Sequence, residues 1–399
     1  MTTFTDMQAH FPFFETGQIY LDSAATTLKP LSVINAMQQF ARYHYANVGR
    51  GAHHLTEAAT SHYEAVRHKL AALINAGSAD QMVFVRGVTE AINLVSQAFL
   101  RNRLQPGDEI LVSILEHHSN ILPWQRLASV TGAKVRFCYL TTDHQLDLQD
   151  FAGKLHNRVK LVALTQVSNV LGTVTPLTQL IRLSKQAGIP VLVDGAQAAG
   201  HMAVDVQALD CDFYCVSGHK MFGPTGIGAL YAKGECWQQM QPWQLGGGMV
   251  SVVTEQGFEP LPAPHGFEAG TPNISGVIGF GAAIDFIKKY QTQIQTNEKL
   301  LLAYATERLS QIRGVKIWGG GADKAAILSL SFAGVSAYEA AQLLSAQRVC
   351  VRSGHLCAMP LLNYLGVHGL LRLSFGCYNS IAELEFTLQT LEAVLKCYQ

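Results

Sequence analysis

Residues 190–226 read PVLVDGAQAAGHMAVDVQALDCDFYCVSGHKMFGPTG. Asp194 closes an apolar run, and Lys220 stands 26 residues later, behind a second such run, in Ser217-Gly218-His219-Lys220. A strand that is apolar without alternation, as VLVD is, belongs to a parallel sheet covered on both faces. The same texture extends outward. Strand-like runs fall at Met82–Val85, Glu109–Ser113, Lys134–Cys138, Lys160–Thr165, Val191–Asp194, Phe213–Ser217 and Gly226–Tyr231. Helical periodicity lies between several of them, at Glu90–Leu100, Leu122–Thr131 and Leu177–Gln186. This alternation predicts an α/β fold with a mostly parallel seven-stranded sheet flanked by helices.

Beyond about residue 290 the pattern changes. Asn297–Ile312, Ala337–Leu344 and Ile381–Leu395 read as helices, and Ala325–Phe332 and Leu371–Phe375 as strands of a separate sheet. The expected organisation is a large domain over residues 22–289 and a smaller α+β domain built from 1–21 and 290–399. LGGGM at Leu245–Met249 and the proline-rich Pro260–Pro264 read as loops. No internal repeat or low-complexity tract interrupts this plan.

The 399 residues carry 29 Lys+Arg against 29 Asp+Glu, and only 15% are charged. A neutral chain has no electrostatic reason to bind nucleic acid or an anionic membrane, so small molecules or specific proteins are the expected partners. No apolar run reaches the ~20 residues of a membrane span; the longest, near Gly276–Ile287, is broken by Asp285. The start, MTTFTDMQAHFP, lacks the basic and apolar regions of a leader. The eight cysteines form no C-x-x-C pair and are too sparse for a disulfide framework. A reducing cytoplasm is the expected compartment.

Several strand ends carry chemistry. A buried carboxylate (Asp194) and one lysine (Lys220) against a small-residue loop suit pyridoxal phosphate: the lysine forms a Schiff base and the carboxylate keeps the pyridine nitrogen protonated. Gly87-Val88-Thr89-Glu90 opens a helix after a strand, which suits a phosphate as well as an ordinary helix cap. Glu116-His117-His118-Ser119-Asn120 follows a strand at its carboxyl end, where open α/β sheets bind ligands, and a histidine there can stack on a flat ring. The paired histidines have no acidic or cysteine partner at ligand spacing, so no metal is expected. Gln166-Val167-Ser168-Asn169 offers amides at another strand end. In the small domain, Arg352-Ser353-Gly354-His355-Leu356-Cys357-Ala358-Met359-Pro360 sets a cysteine beside an arginine, a setting that can expose and activate a thiol. Cys377, near Arg372, is its one rival. Arg372, in Leu371-Arg372-Leu373-Ser374-Phe375, suits a bidentate carboxylate clamp.

With these motifs in order, the chain resembles the class V, fold-type I pyridoxal phosphate enzymes, and within them the SufS/CsdA-type (group II) cysteine desulfurases. The likeness rests on Tyr20–Thr26, Arg86–Asn93, Glu116–Trp124, Asp194–Gln197, Ser217–Gly226, Glu268–Asn273 and Arg352–Pro360. It implies that Lys220 carries the cofactor, that Asp194 pairs with the ring nitrogen, that Gln197 bonds the phenolate oxygen and that His117 stacks on the ring. It further implies that Val88, Thr89, Ser217 and His219 surround the phosphate, with Thr271 supplied by the other subunit of a homodimer. Asn169 and Arg372, with Arg352 and His53, would bind substrate. Cys357 would accept sulfur from L-cysteine, leaving L-alanine, and pass the persulfide to a SufE/CsdE-like protein, for iron–sulfur clusters or another sulfur-containing cofactor.

The 15 residues from Cys357 to Arg372 match the short-loop group, in which the acceptor must reach in. Modest turnover without an acceptor is therefore expected. Two positions depart from the family pattern: Leu356 stands where histidine precedes the cysteine, and Val48-Gly49-Arg50-Gly51 replaces Val-His-Arg-Gly. The alternatives are a selenocysteine lyase or another class V enzyme, such as a kynureninase or epimerase, and a catalytically silent scaffold subunit.

Overall fold

The computed structural model describes residues 7–321 and 323–398. The first six residues, half of the stretch read above for a leader, lie outside them. Short strand β1 (Ile19–Tyr20) brings the N-terminal segment into the small domain, where it pairs in parallel with β13 (Val349–Cys350).

The large sheet contains β2 (Met82–Val85), β3 (Glu109–Ser113), β4 (Lys134–Cys138), β5 (Val159–Thr165), β6 (Val191–Asp194), β7 (Phe213–Ser217) and β8 (Gly228–Ala232), in the order β2-β8-β7-β6-β5-β3-β4. β8 alone runs opposite to the other six strands. The central strands are buried on both faces, as their unbroken apolar runs require. Helices at Leu122–Thr131 and Leu177–Gln186 fall where periodicity places them. The helix expected at Glu90–Leu100 starts earlier, at Val88, and its second half winds as a π-helix over Val95–Leu100.

The expected loops at 245–264 enclose a hairpin, β9 (Val250–Val253) with β10 (Phe258–Pro260). Val252, Val253 and Phe258 on it are exposed, so the hairpin lacks the buried face that patterning detects. A helix spans Ile274–Ser310, much longer than expected, and departs from helical dihedrals at Tyr290. Its first half packs under the large sheet and its second half joins the small domain's core. That core lies between helices Ala337–Ala346 and Ile381–Lys396 and an antiparallel sheet of β11 (Val315–Trp318), β12 (Ile327–Phe332), β15 (Leu370–Ser374) and β14 (Arg352–Gly354). Among the described residues no helix is long and apolar enough to cross a membrane.

Candidate active site

The carboxyl ends of β3, β5, β6 and β7 converge on a cavity of about 450 Å³ that β14, β15 and the loop after β14 close from the small domain. Val88, Thr89, His117, Asn169, Asp194, Gln197, Ser217, His219, Lys220, Arg352, Cys357 and Arg372 all line it. His53 and Thr271 do not. They line a separate cleft of about 600 Å³ with Arg50 and Glu268. Within one chain, then, the sequence-based set divides, because His53 caps helix His54–Leu73 on another face. Another cleft, of about 520 Å³, also borders Thr271, but no lysine or histidine lines it.

Lys220 sits on a one-turn 3-10 helix after β7. Among the described residues its Nζ has no hydrogen-bond partner. Burial lowers its pKa to about 8, although Asp194 pulls it upward. Asp194, at the end of β6, is almost fully buried, and its Oδ1 accepts the Ala196 N–H at 2.9 Å. Burial raises its pKa, against that hydrogen bond and the attraction of Lys220. His117 Nδ1 accepts the Ser119 N–H at 3.1 Å, so the ring proton belongs on Nε2. Burial and Lys220 lower its pKa to about 4, which keeps the ring neutral at physiological pH. His219 is likewise lowered to about 4.

Ser217, at the end of β7, is joined to the start of the Val88 helix. Its Oγ accepts the Val88 N–H at 2.9 Å, so that amide is already committed and the Ser217 hydroxyl proton is left over. Thr89 Oγ1 lies 2.8 Å from Ser119 Oγ. Gln197 Nε2 gives one hydrogen to the Ala24 carbonyl at 2.8 Å and keeps the other. This donor set fits pyridoxal phosphate: an unpartnered lysine, a buried carboxylate for a ring cation, and hydroxyl and imidazole groups for an anion.

At the mouth, Arg372 is 2% exposed. It donates to the Asn169 carbonyl and to Asp22, each at 3.0 Å, while its buried Nε is unpartnered. Arg352, expected beside the thiol, turns its Nε and Nη2 onto Asp22, at 2.8 Å for Nη2. Cys357 is exposed into the cavity. Its sequence rival, Cys377, is fully buried, and burial pushes its thiol far up. Burial pushes Cys138, Cys211 and Cys236 up to about 12 as well.

Three supports were not legible as such in the sequence. Asp22 joins Arg352 and Arg372 from 330 and 350 residues away. Glu116, under His117, accepts from Ser113, Asn120 and the Thr165 N–H. His201 bridges Glu298 and the Lys220 carbonyl. The motif strings already contained Asp22 and Glu116, but nothing in one sequence pairs them with their partners.

The aminotransferase class-V family model matches residues 19–386. The chain belongs to the class-V aminotransferase family. It is 46% identical to a cysteine desulfurase of Serratia proteamaculans, over 94% of this chain and 93% of that protein. It is 45% identical to one of Dickeya dadantii, over 95% and 93%. The crystal structure of the cysteine desulfurase CsdA (S-sulfonic acid) from Escherichia coli matches with a TM-score of 0.94 and 40% identity, covering both chains fully. The apo cysteine desulfurase of Thermococcus onnurineus NA1 matches with a TM-score of 0.96 and 37% identity, covering 100% of this chain and 99% of that one. These matches agree with the fold-type I architecture that the resemblance implies and with the mostly parallel sheet expected from the strand pattern.

Proposed function

We propose that this class-V protein is a pyridoxal phosphate-dependent cysteine desulfurase of the SufS/CsdA type, converting L-cysteine to L-alanine with the sulfur retained on Cys357. The observation that carries the reading is the convergence of Lys220, Asp194 and the exposed Cys357 on one cavity. Lys220 would hold the cofactor, with Asp194 available to its ring nitrogen, Gln197 to its phenolate oxygen, and Ser217, Thr89 and His219 to its phosphate. When bound, the cofactor supplies an electron sink that lets Cα of the substrate lose its proton and weakens the Cβ–S bond.

The chain's own residues do the rest. Arg372 and Asn169 orient the substrate carboxylate. The Lys220 amine, neutral above about pH 8, takes the Cα proton. The neutral His117 ring covers one face of the site and keeps a single N–H toward it. The Cys357 thiolate attacks the substrate sulfur. One S–S bond forms as the C–S bond breaks, the carbon side takes up protons to become L-alanine, and Cys357 is left as a persulfide.

Residues 22–289 form the cofactor domain, and 1–21 with 290–399 form the domain carrying the cysteine loop. Thr271 and His53 act on the site of a second subunit, a role supported by their lining an open cleft away from Lys220. Exposed Leu31, Ile34, Tyr43, Tyr45 and Leu55 offer apolar surface for that dimer. A SufE/CsdE-like thiol protein removes the sulfur. Eight free cysteines suit a reducing cytoplasm.

The test is Cys357→Ala in the holoenzyme. It should keep the cofactor absorbance but lose sulfide release from cysteine in the presence of a thiol reductant. Sulfide release at the full rate from the variant overturns the reading.

A further inference from the structure

The cysteine loop adopts a conformation that its own sequence does not favour. Leu356 and Cys357 lie consecutively in the left-handed region, at φ 53° and 54°. Non-glycine residues stay there only when their surroundings over-determine them. The restraints are visible. Asn169 Nδ2 donates to the Leu356 carbonyl at 2.8 Å. The His118 backbone N–H donates to the Cys357 carbonyl, also at 2.8 Å. The Cys357 N–H reaches His355 Nδ1 at 3.2 Å.

The loop then runs directly into helix Met359–Leu365, whose cap position is Ala358, a residue with no side-chain acceptor. First-turn N–H groups of a helix lack partners within the helix. Pro360 removes one of them. The Met359 N–H finds its acceptor 241 residues away, on His118 Nε2 at 3.1 Å. The His118 ring also stacks on His355, with centroids 5.9 Å apart and planes at 29°. The Met359 N–H makes Nε2 the accepting nitrogen, and burial, with the neighbouring His355, lowers the His118 pKa in the same sense.

We propose that His118 is a positioning residue that caps the Met359 helix from outside and so fixes the strained Cys357 turn against the His117 segment. This rests on the desulfurase reading above, in which Cys357 must meet the substrate sulfur. Because His117 and His118 are adjacent, the group covering the cofactor and the group aiming the nucleophile are set by one turn. The Leu356 side chain is buried and gives the turn no polar anchor, so Asn169 and His355 hold the turn itself while His118 holds the helix that follows it.

The test uses the full-length holoenzyme with His118→Leu and His118→Gln. Glutamine places an uncharged acceptor near the Nε2 position, and leucine does not. In His118→Leu, hydrogen exchange at the Met359 amide should speed up roughly tenfold, the loss of one ordinary hydrogen bond. Single-turnover persulfide formation on Cys357 should slow by a similar factor, with KM for cysteine and the cofactor absorbance unchanged. His118→Gln should recover most of both. Wild-type exchange in His118→Leu, or a glutamine variant as impaired as the leucine one, overturns the proposal. Should the leucine variant fail to fold, rapid Met359 exchange in the wild type overturns it. Exchange reads the turn without catalysis, so a wild type that forms no persulfide rejects the desulfurase reading and leaves the exchange result to decide the positioning role.

Discussion

Replacing Asp22 by asparagine should destabilise the protein by about 3–4 kcal/mol, and the structure divides that figure unevenly. Asp22 sits between two guanidinium groups. Arg352 reaches it through two nitrogens, but the Arg352 side chain is 50% exposed, so water and salt replace most of that half. An exposed pair of this kind contributes at most ~1 kcal/mol. Arg372 is 2% exposed and its Nε already lacks a partner. Without the carboxylate it remains a buried cation held by the Asn169 carbonyl, and stranding such a charge costs about 3 kcal/mol. In a chain of 399 residues that lowers Tm by roughly 4–5 °C, measurable by calorimetry on the holoenzyme. The double variant Asp22→Asn/Arg372→Met removes the stranded cation with its partner and should recover much of the loss. An Asp22→Asn protein within about 2 °C of wild type, or a double variant no better than the single one, refutes this division.

Three further outcomes follow from the same geometry. Burial sets the Lys220 amine near 8, so its reactive, unprotonated form fills in below the usual lysine range. Covalent uptake of pyridoxal phosphate by the cofactor-free protein, followed by absorbance, should rise with pH and level off just above 8; a rate still climbing toward 10.5 contradicts it. At Gly228 a Cβ would stand 2.3 Å from the Val216 carbonyl and 2.7 Å from Gly87 Cα. Gly228→Ala should therefore cost about 3 kcal/mol and weaken cofactor retention at the Ser217 end, and wild-type Tm and retention would exclude this. His201 has its pKa raised: burial resists the charge, but Glu298 and the Lys220 carbonyl outweigh it. The stability it adds is complete below the unfolded value near 6.5 and is lost as pH rises through the higher folded value. Denaturation midpoints should fall across that window in the wild type and less so in His201→Asn; parallel pH profiles would sink the assignment.

What the sequence made legible follows from how each feature is encoded. The large sheet was readable because its strands are buried on both faces, so runs such as VLVD and LVALT need no partner to be recognised. The hairpin Val250–Pro260 was not readable, because its apolar residues point to solvent and give no alternation. The site followed a similar rule. Lys220, Asp194, His117 and Asn169 each end a strand or follow one closely, and parallel topology gathers such ends at one edge of the sheet. Cys357 was legible from its chemistry: one thiol in a polar glycine-containing loop, whereas Cys211 precedes the buried strand β7 and Cys215 lies within it. Asp22, His118 and His201 escaped because each acts through a partner on a different element, and no local pattern encodes a pairing across 241 or 350 residues. These residues hold Arg372, the cysteine turn and the Lys220 backbone in place without joining the chemistry. Their substitution should therefore change geometry and stability before it changes which reaction occurs, whereas substitution of Lys220 or Cys357 should do the reverse.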